Sequence, residues 1–146
     1  MRNIDDIVIH CSDSQNGARH SERDINDWHK LRWKASPSGK YTGYHYVIRC
    51  DGVVEPGRPV SEVGCHCPPN SHNLGICLIG RDKFTPNQWS SLKLLVIELR
   101  ERFVGATISG HKDHESARKQ GKTCPNFDVK VWVENDYTPK PENILR

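Results

Sequence analysis

No stretch of this chain approaches the ~20 consecutive apolar residues needed to cross a bilayer, so no membrane insertion is expected. The N-terminal MRNIDDIVIH lacks the apolar centre of a secretory signal, because Asp5 and Asp6 interrupt it. The product is therefore expected to be cytoplasmic when made. Blocks of like charge are missing too. Lys and Arg number 21 against 18 Asp and Glu, a net charge of +3 spread along the chain. That mild excess suits a polyanionic surface but has none of the basic clustering of a dedicated nucleic-acid binder, so no nucleic-acid partner is expected. Internal repeats and low-complexity segments are absent. What remains, 35% hydrophobic and 27% charged residues over 146 positions, is the balance of one ordinary domain with a real core.

Six cysteines (11, 50, 65, 67, 77 and 124) would suit a disulfide scaffold in a secreted chain. Without a secretion signal they read as thiols or metal ligands. Cys11, Cys50 and Cys77 fall inside apolar strand patterns and are expected to be small core residues. Cys65-His66-Cys67 is one residue short of the Cys-x-x-Cys spacing of structural zinc sites, which argues against a second metal there.

Periodicity gives the elements. Asp6 to Ser12 alternates as a strand, with Ile7, Ile9 and Cys11 on one face and Val8 and His10 on the other. Ser21-Glu22-Arg23-Asp24 caps a helix expected to run to about Trp33, with Ile25, Trp28 and His29 inward. Gly43 to Cys50 reads as a second strand. Asp51-Gly52 predicts a two-residue hairpin turn, and Val53 to Glu55 returns. Leu74 to Gly80 is apolar without alternation, as in a strand covered on both faces. Thr85-Pro86-Asn87-Gln88 is a capping box, and Trp89, Leu92, Val96, Leu99 and Phe103 then step at helical spacing. Ala106 to Ser109 predicts a short strand, and Phe127 to Val133 a last helix. Interleaved strands and helices with one hairpin predict an α/β domain, a mixed central β-sheet flanked by helices. The domain is expected over residues 1–136, followed by a polar, weakly ordered tail over 137–146.

Ser109 to Phe127, SGHKDHESARKQGKTCPNF, carries the chemistry. His111 follows a strand end and Cys124 precedes a proline at the far end of a polar loop, an arrangement suited to a pair of metal ligands. Two ligands do not hold zinc, and His10, at the end of the first strand, is the best third donor. His114 is a rival within the same loop. Read alone, Lys122 is a surface lysine, and Tyr44 and Tyr46 share a face that could pack into the core.

Six motifs, IVIHCS, GYHYVIRCDGVVEPGR, LGICLIG, the helix after Thr85, SGHKDH and GKTCPNFD, occur in that order. Together they resemble the zinc-dependent N-acetylmuramoyl-L-alanine amidases, in particular their single-domain members, the lysozymes (endolysins) of T-odd coliphages. That family shares its fold with peptidoglycan recognition proteins. The resemblance covers roughly residues 5 to 134. It implies Zn2+ held by His10, His111 and Cys124, with Tyr44 and Lys122 as catalytic groups and His66 as a substrate contact in a cleft-lining loop. It further implies a monomer that hydrolyses the amide between N-acetylmuramic acid and L-alanine in bacterial peptidoglycan during host lysis. Reaching the wall would need a separate membrane-permeabilising protein. Two alternatives stay open: a non-catalytic peptidoglycan-binding module, which in this family lacks the cysteine ligand, and an amidase recycling soluble muropeptides. One departure is visible. The family often carries serine before the isoleucine-glycine strand, where this chain has His72-Asn73-Leu74-Gly75.

Overall fold

The computed structural model describes residues 2–146. Five strands form one mixed sheet: β1 (Asp6–Cys11), β2 (Tyr46–Ile48), β3 (Val54–Pro56), β4 (Asn73–Leu78) and β5 (Thr107–Gly110). Their spatial order is β3-β2-β4-β1-β5. β1 runs parallel to both β4 and β5, β2 runs parallel to β4, and only the β2–β3 hairpin is antiparallel. Four helices accompany the sheet: α1 (Glu22–Lys30), α2 (Pro86–Arg102), α3 (Glu115–Lys119) and α4 (Val129–Glu134). None is long and apolar enough to cross a membrane.

The alternation in β1 decides which face is closed and which is left for a site. Ile7, Ile9 and Cys11, with Ile48, Leu74, Ile76 and Leu78, pack on Trp89, Leu92, Val96 and Leu99 of α2. Thr85 Oγ1 accepts the Gln88 backbone N–H at 3.1 Å, and Gln88 Oε1 accepts the Thr85 N–H at 2.9 Å, so the predicted capping box forms. The buried Gln88 amide then donates to Ile48 O and Ile79 O, fastening the helix start to β2 and β4. The opposite face is covered thinly. Ile25 of α1 meets Val47, Cys77 and Ile79 there, with Tyr44 at the margin. His10 points to this second face, and the short cover leaves a cleft beside it.

Several boundaries differ from the sequence reading. The hairpin turn has three residues, Cys50-Asp51-Gly52, rather than two: Arg49 N–H bonds to Val53 O (3.0 Å) and Gly52 N–H to Arg49 O (2.9 Å), with Gly52 at φ 89°. Asp51 drives this choice, its carboxylate accepting the Val53 N–H and the Arg49 guanidinium. Cys50 consequently sits half-buried in the turn and not in the core. α1 ends at Lys30 instead of Trp33, because Leu31 has nothing to pack on and is 89% exposed. Trp28 is also turned outward against His20, leaving Ile25 and His29 as the inward stripe. The tail is tied down rather than weakly ordered: Phe84 N–H bonds to Asn143 O, Leu145 N–H to Phe84 O, and Trp89 Nε1–H to Asn143 O. Tyr137 and Ile144 also pack against the main core.

Candidate metal centre and cleft

Parallel pairing brings the candidate residues together. β1 and β5 run side by side with Ile9 opposite Gly110, so His10 and His111 both leave the sheet at its C-terminal edge. Their ring centroids lie 4.6 Å apart. After His111 the chain makes a 3₁₀ turn and α3, then returns, and the Lys112 N–H closes the loop on Cys124 O at 2.8 Å. Cys124 Sγ accepts the Cys11 backbone N–H at 3.0 Å, which anchors the sulfur beside β1. One donor atom from each of His10, His111 and Cys124 lies within 4.8 Å of the others, and this is the metal-suited cluster among the described residues.

His114 is engaged elsewhere. Its Nε2 faces Asp6 Oδ2 at 3.1 Å and Ser109 Oγ at 2.9 Å. This Ser–His–Asp trio is not a nucleophilic triad, because both partners share one ring nitrogen where a triad needs them on opposite nitrogens. It clips the 3₁₀ turn to the outer edge of the sheet.

The electrostatics suit a cation. Burial holds the His10 imidazole well below its ordinary range, helped by the neighbouring His66 and His111. Burial, Lys122 and His114 bring His111 down to about 4. Both rings are thus neutral near pH 7, with lone pairs to offer. The Cys124 thiol is held up by its hydrogen bond to the Cys11 thiol and by burial, so its proton leaves only for a strong positive charge. Two neutral imidazoles and one sulfur that already accepts a backbone N–H fit a borderline divalent metal.

Tyr44 lies just before β2, its ring 5.0 Å from that of His10 and 5.5 Å from that of His29. Burial, and then the adjacent Cys77 and Cys124 thiols, push its hydroxyl well up, so it stays an O–H donor. Lys122 stands exposed on the cleft wall, its backbone N–H held by Ala117 O at 3.0 Å. His66 lines the cleft beside His10, largely buried, with its Nδ1 2.8 Å from His10 Nε2. The cleft joining these groups measures about 690 Å³.

The sequence reading did not single out His29, Arg32, Trp33 or Asn70 as wall residues. His29 accepts the Gly43 N–H on Nδ1 at 2.8 Å, which leaves Nε2 to carry its proton. Its inward place in α1 was a usable signal. Arg32 stacks on Trp33 at 4.7 Å, beyond the helix end, where no periodicity marks them.

Comparison with known proteins identifies the family. Residues 1–127 match the family model of N-acetylmuramoyl-L-alanine amidase. The chain belongs to that family. The endolysin of Escherichia phage T7 is 38% identical over 141 residues, covering 90% of this chain and 87% of the relative. The endolysin of Klebsiella phage KP32 is 35% identical, covering 89% and 85%. Among solved structures, the N-acetylmuramoyl-L-alanine amidase LysC of Clostridium intestinale superposes with a TM-score of 0.74 at 27% identity, covering 94% of this chain and 88% of that one. Drosophila PGRP-LB, at 21% identity and a TM-score of 0.71 over 94% and 85% of the two chains, shares the fold.

A buried histidine of this amidase fold makes its stability pH-dependent. His45 Nδ1 accepts the Gly75 N–H at 3.0 Å, so Nε2 carries the proton and donates to Glu62 O at 2.8 Å. Burial lowers this residue to about 4. Unfolded, the same ring titrates near 6.5. Between those values the unfolded chain binds the extra proton, so the stability is complete above pH 6.5 and falls as pH drops towards 4, by about 3 kcal/mol from this residue. Urea midpoints are expected to decline across that window. His45→Asn, which keeps an acceptor for Gly75, should decline less steeply. Parallel curves for the two proteins would remove His45 from the account.

Proposed function

We propose that the chain is a zinc-dependent amidase that hydrolyses the bond between N-acetylmuramic acid and L-alanine in peptidoglycan, as a phage or prophage endolysin. The observation that carries this reading is the His10–His111–Cys124 cluster on the cleft floor, its donors within 4.8 Å of one another. Three protein donors leave a metal one open position facing substrate, the pattern of catalytic and not structural zinc. Zinc bound there supplies Lewis acidity for amide hydrolysis. The chain supplies the rest. Lys122 sets a positive charge at the cleft wall, where an amide oxygen gaining negative charge would lie. Tyr44 offers its O–H to the same region. His66 lines the same cleft beside His10, where it could meet substrate.

Clearing of a cell suspension does not identify the bond, because other enzyme classes also lyse walls. A glycosidase needs two carboxyl groups facing across a cleft, and Asp13 is the one acid among the cleft-lining residues. Digestion of purified peptidoglycan should release L-alanine amino termini and no new reducing ends. New amino termini on D-alanine or diaminopimelate would reassign the enzyme to the endopeptidases. Wall binding with no new termini would make it a recognition module.

A further inference from the structure

His66 is more constrained than a substrate contact needs to be. Its ring lies between two glycines: a Cβ built on Gly75 would stand 2.8 Å from Cγ and Nδ1, and one built on Gly64 would stand 2.8 Å from Cδ2. Any other residue at either position would push the ring. The His45 ring closes a third side, edge-on at 5.8 Å. Nδ1 meets His10 Nε2 at 2.8 Å in a buried contact, so one of these two nitrogens must donate and the other accept.

The far nitrogen decides which. His66 Nε2 and Asn73 Oδ1 are both buried without a hydrogen-bond partner among the described residues, and the two side chains are close enough to interact. The Asn73 amide cannot turn round, because its Nδ2 donates to Cys67 O at 3.1 Å and to Pro69 O at 3.2 Å. Oδ1 therefore stays an acceptor, and the group left to satisfy it is the His66 Nε2–H. A neutral imidazole protonated on Nε2 has its lone pair on Nδ1. His10 must then donate from Nε2, which leaves the lone pair of His10 on Nδ1.

We infer that His66 is a positioning residue for the metal centre: the relay Asn73–His66–His10 fixes the tautomer and tilt of His10 and turns its Nδ1 towards the ion. The inference rests on the proposed metal role of His10. It gives the Asn73 departure a purpose, since an amide there both braces the loop over Cys67 to Pro69 and orients the relay. Partners of this kind, donating or accepting behind a ligating histidine, are worth roughly 10- to 100-fold in metal affinity.

Two measurements test it, neither of which is turnover. Nitrogen-15 spectra of the zinc-loaded wild-type protein should show His66 protonated on Nε2 and bare on Nδ1. A proton on His66 Nδ1 overturns the relay. Zinc affinity, read by competition with a chromophoric chelator, should fall roughly 10- to 100-fold in His66→Leu and recover most of that loss in His66→Asn. Leucine and asparagine have nearly the same shape, so any cavity is common to both, and only asparagine offers an acceptor where Nδ1 sat. Equal weakening in the two variants would make the ring mere packing. Unchanged affinity in His66→Leu with a raised KM for wall fragments would return His66 to substrate binding. A wild-type protein that binds no zinc is a different failure, that of the metal reading itself.

Discussion

Cys124→Ser is expected to abolish wall hydrolysis, with a loss of at least ~10³-fold, the scale of several kcal/mol of Lewis-acid stabilisation. Serine keeps the size of the side chain and its contact with the Cys11 N–H. It replaces a soft sulfur with an alcohol that does not ionise near neutral pH, which a borderline metal tolerates poorly. Zinc content should fall from about one per chain, as a three-ligand site implies. Chelation of the wild-type protein should give the same inactive state, and added zinc should restore it. His114→Ala is the control. That ring is bound to Asp6 and Ser109, so its removal should lower stability while zinc and activity remain. Retained activity in Cys124→Ser combined with loss in His114→Ala would exchange the two ligand assignments. Full activity in a metal-free preparation would end the metal mechanism.

How much of this was legible depends on the range of the interaction involved. The β1 alternation, the Thr85 capping box and the α2 stripe are encoded within a few residues each, and all three appear as read. The Asp51-Gly52 turn was located but mis-sized, since the Asp51 carboxylate selects a longer loop through a contact that dipeptide rules ignore. The tail looked unstructured because its prolines and charges carry no periodicity. Its order comes from Asn143 and Leu145 bonding to Phe84 and Trp89, some sixty residues away in sequence. The metal-suited trio was legible as two strand-end histidines and a cysteine before a proline, in a known order, though nothing local separates His111 from His114. Parallel pairing with β1 makes that separation. His66 illustrates the limit: its place in a cleft-lining loop was legible, but nothing local shows that Gly75 of β4 packs against its ring.

Tyr44→Phe and Lys122→Ala are each expected to lower kcat/KM roughly 100-fold or more, the usual size for one acid–base or oxyanion-stabilising group. Tyr44→Phe removes a single oxygen. The ring keeps its place beside His10 and over Ile25, Val47, Cys77 and Ile79, so the fold and the metal cluster stay intact. The hydroxyl is held in its protonated form by burial, which makes donation its role and predicts no phenolate limb in the pH profile near neutrality. Lys122→Ala removes an exposed charge whose ammonium makes no hydrogen bond among the described residues, and the backbone bond to Ala117 O survives the change. Stability should therefore shift by no more than ~0.5 kcal/mol, as at other surface positions. Zinc content should match the wild type in both. If the two groups act on one developing charge, the double variant should lose less than the product of the single losses. Near-normal turnover in both single variants would leave the chemistry to the metal cluster alone and reduce Tyr44 to packing. Zinc loss in Lys122→Ala would show that the lysine acts on the loop carrying Cys124 and not on substrate.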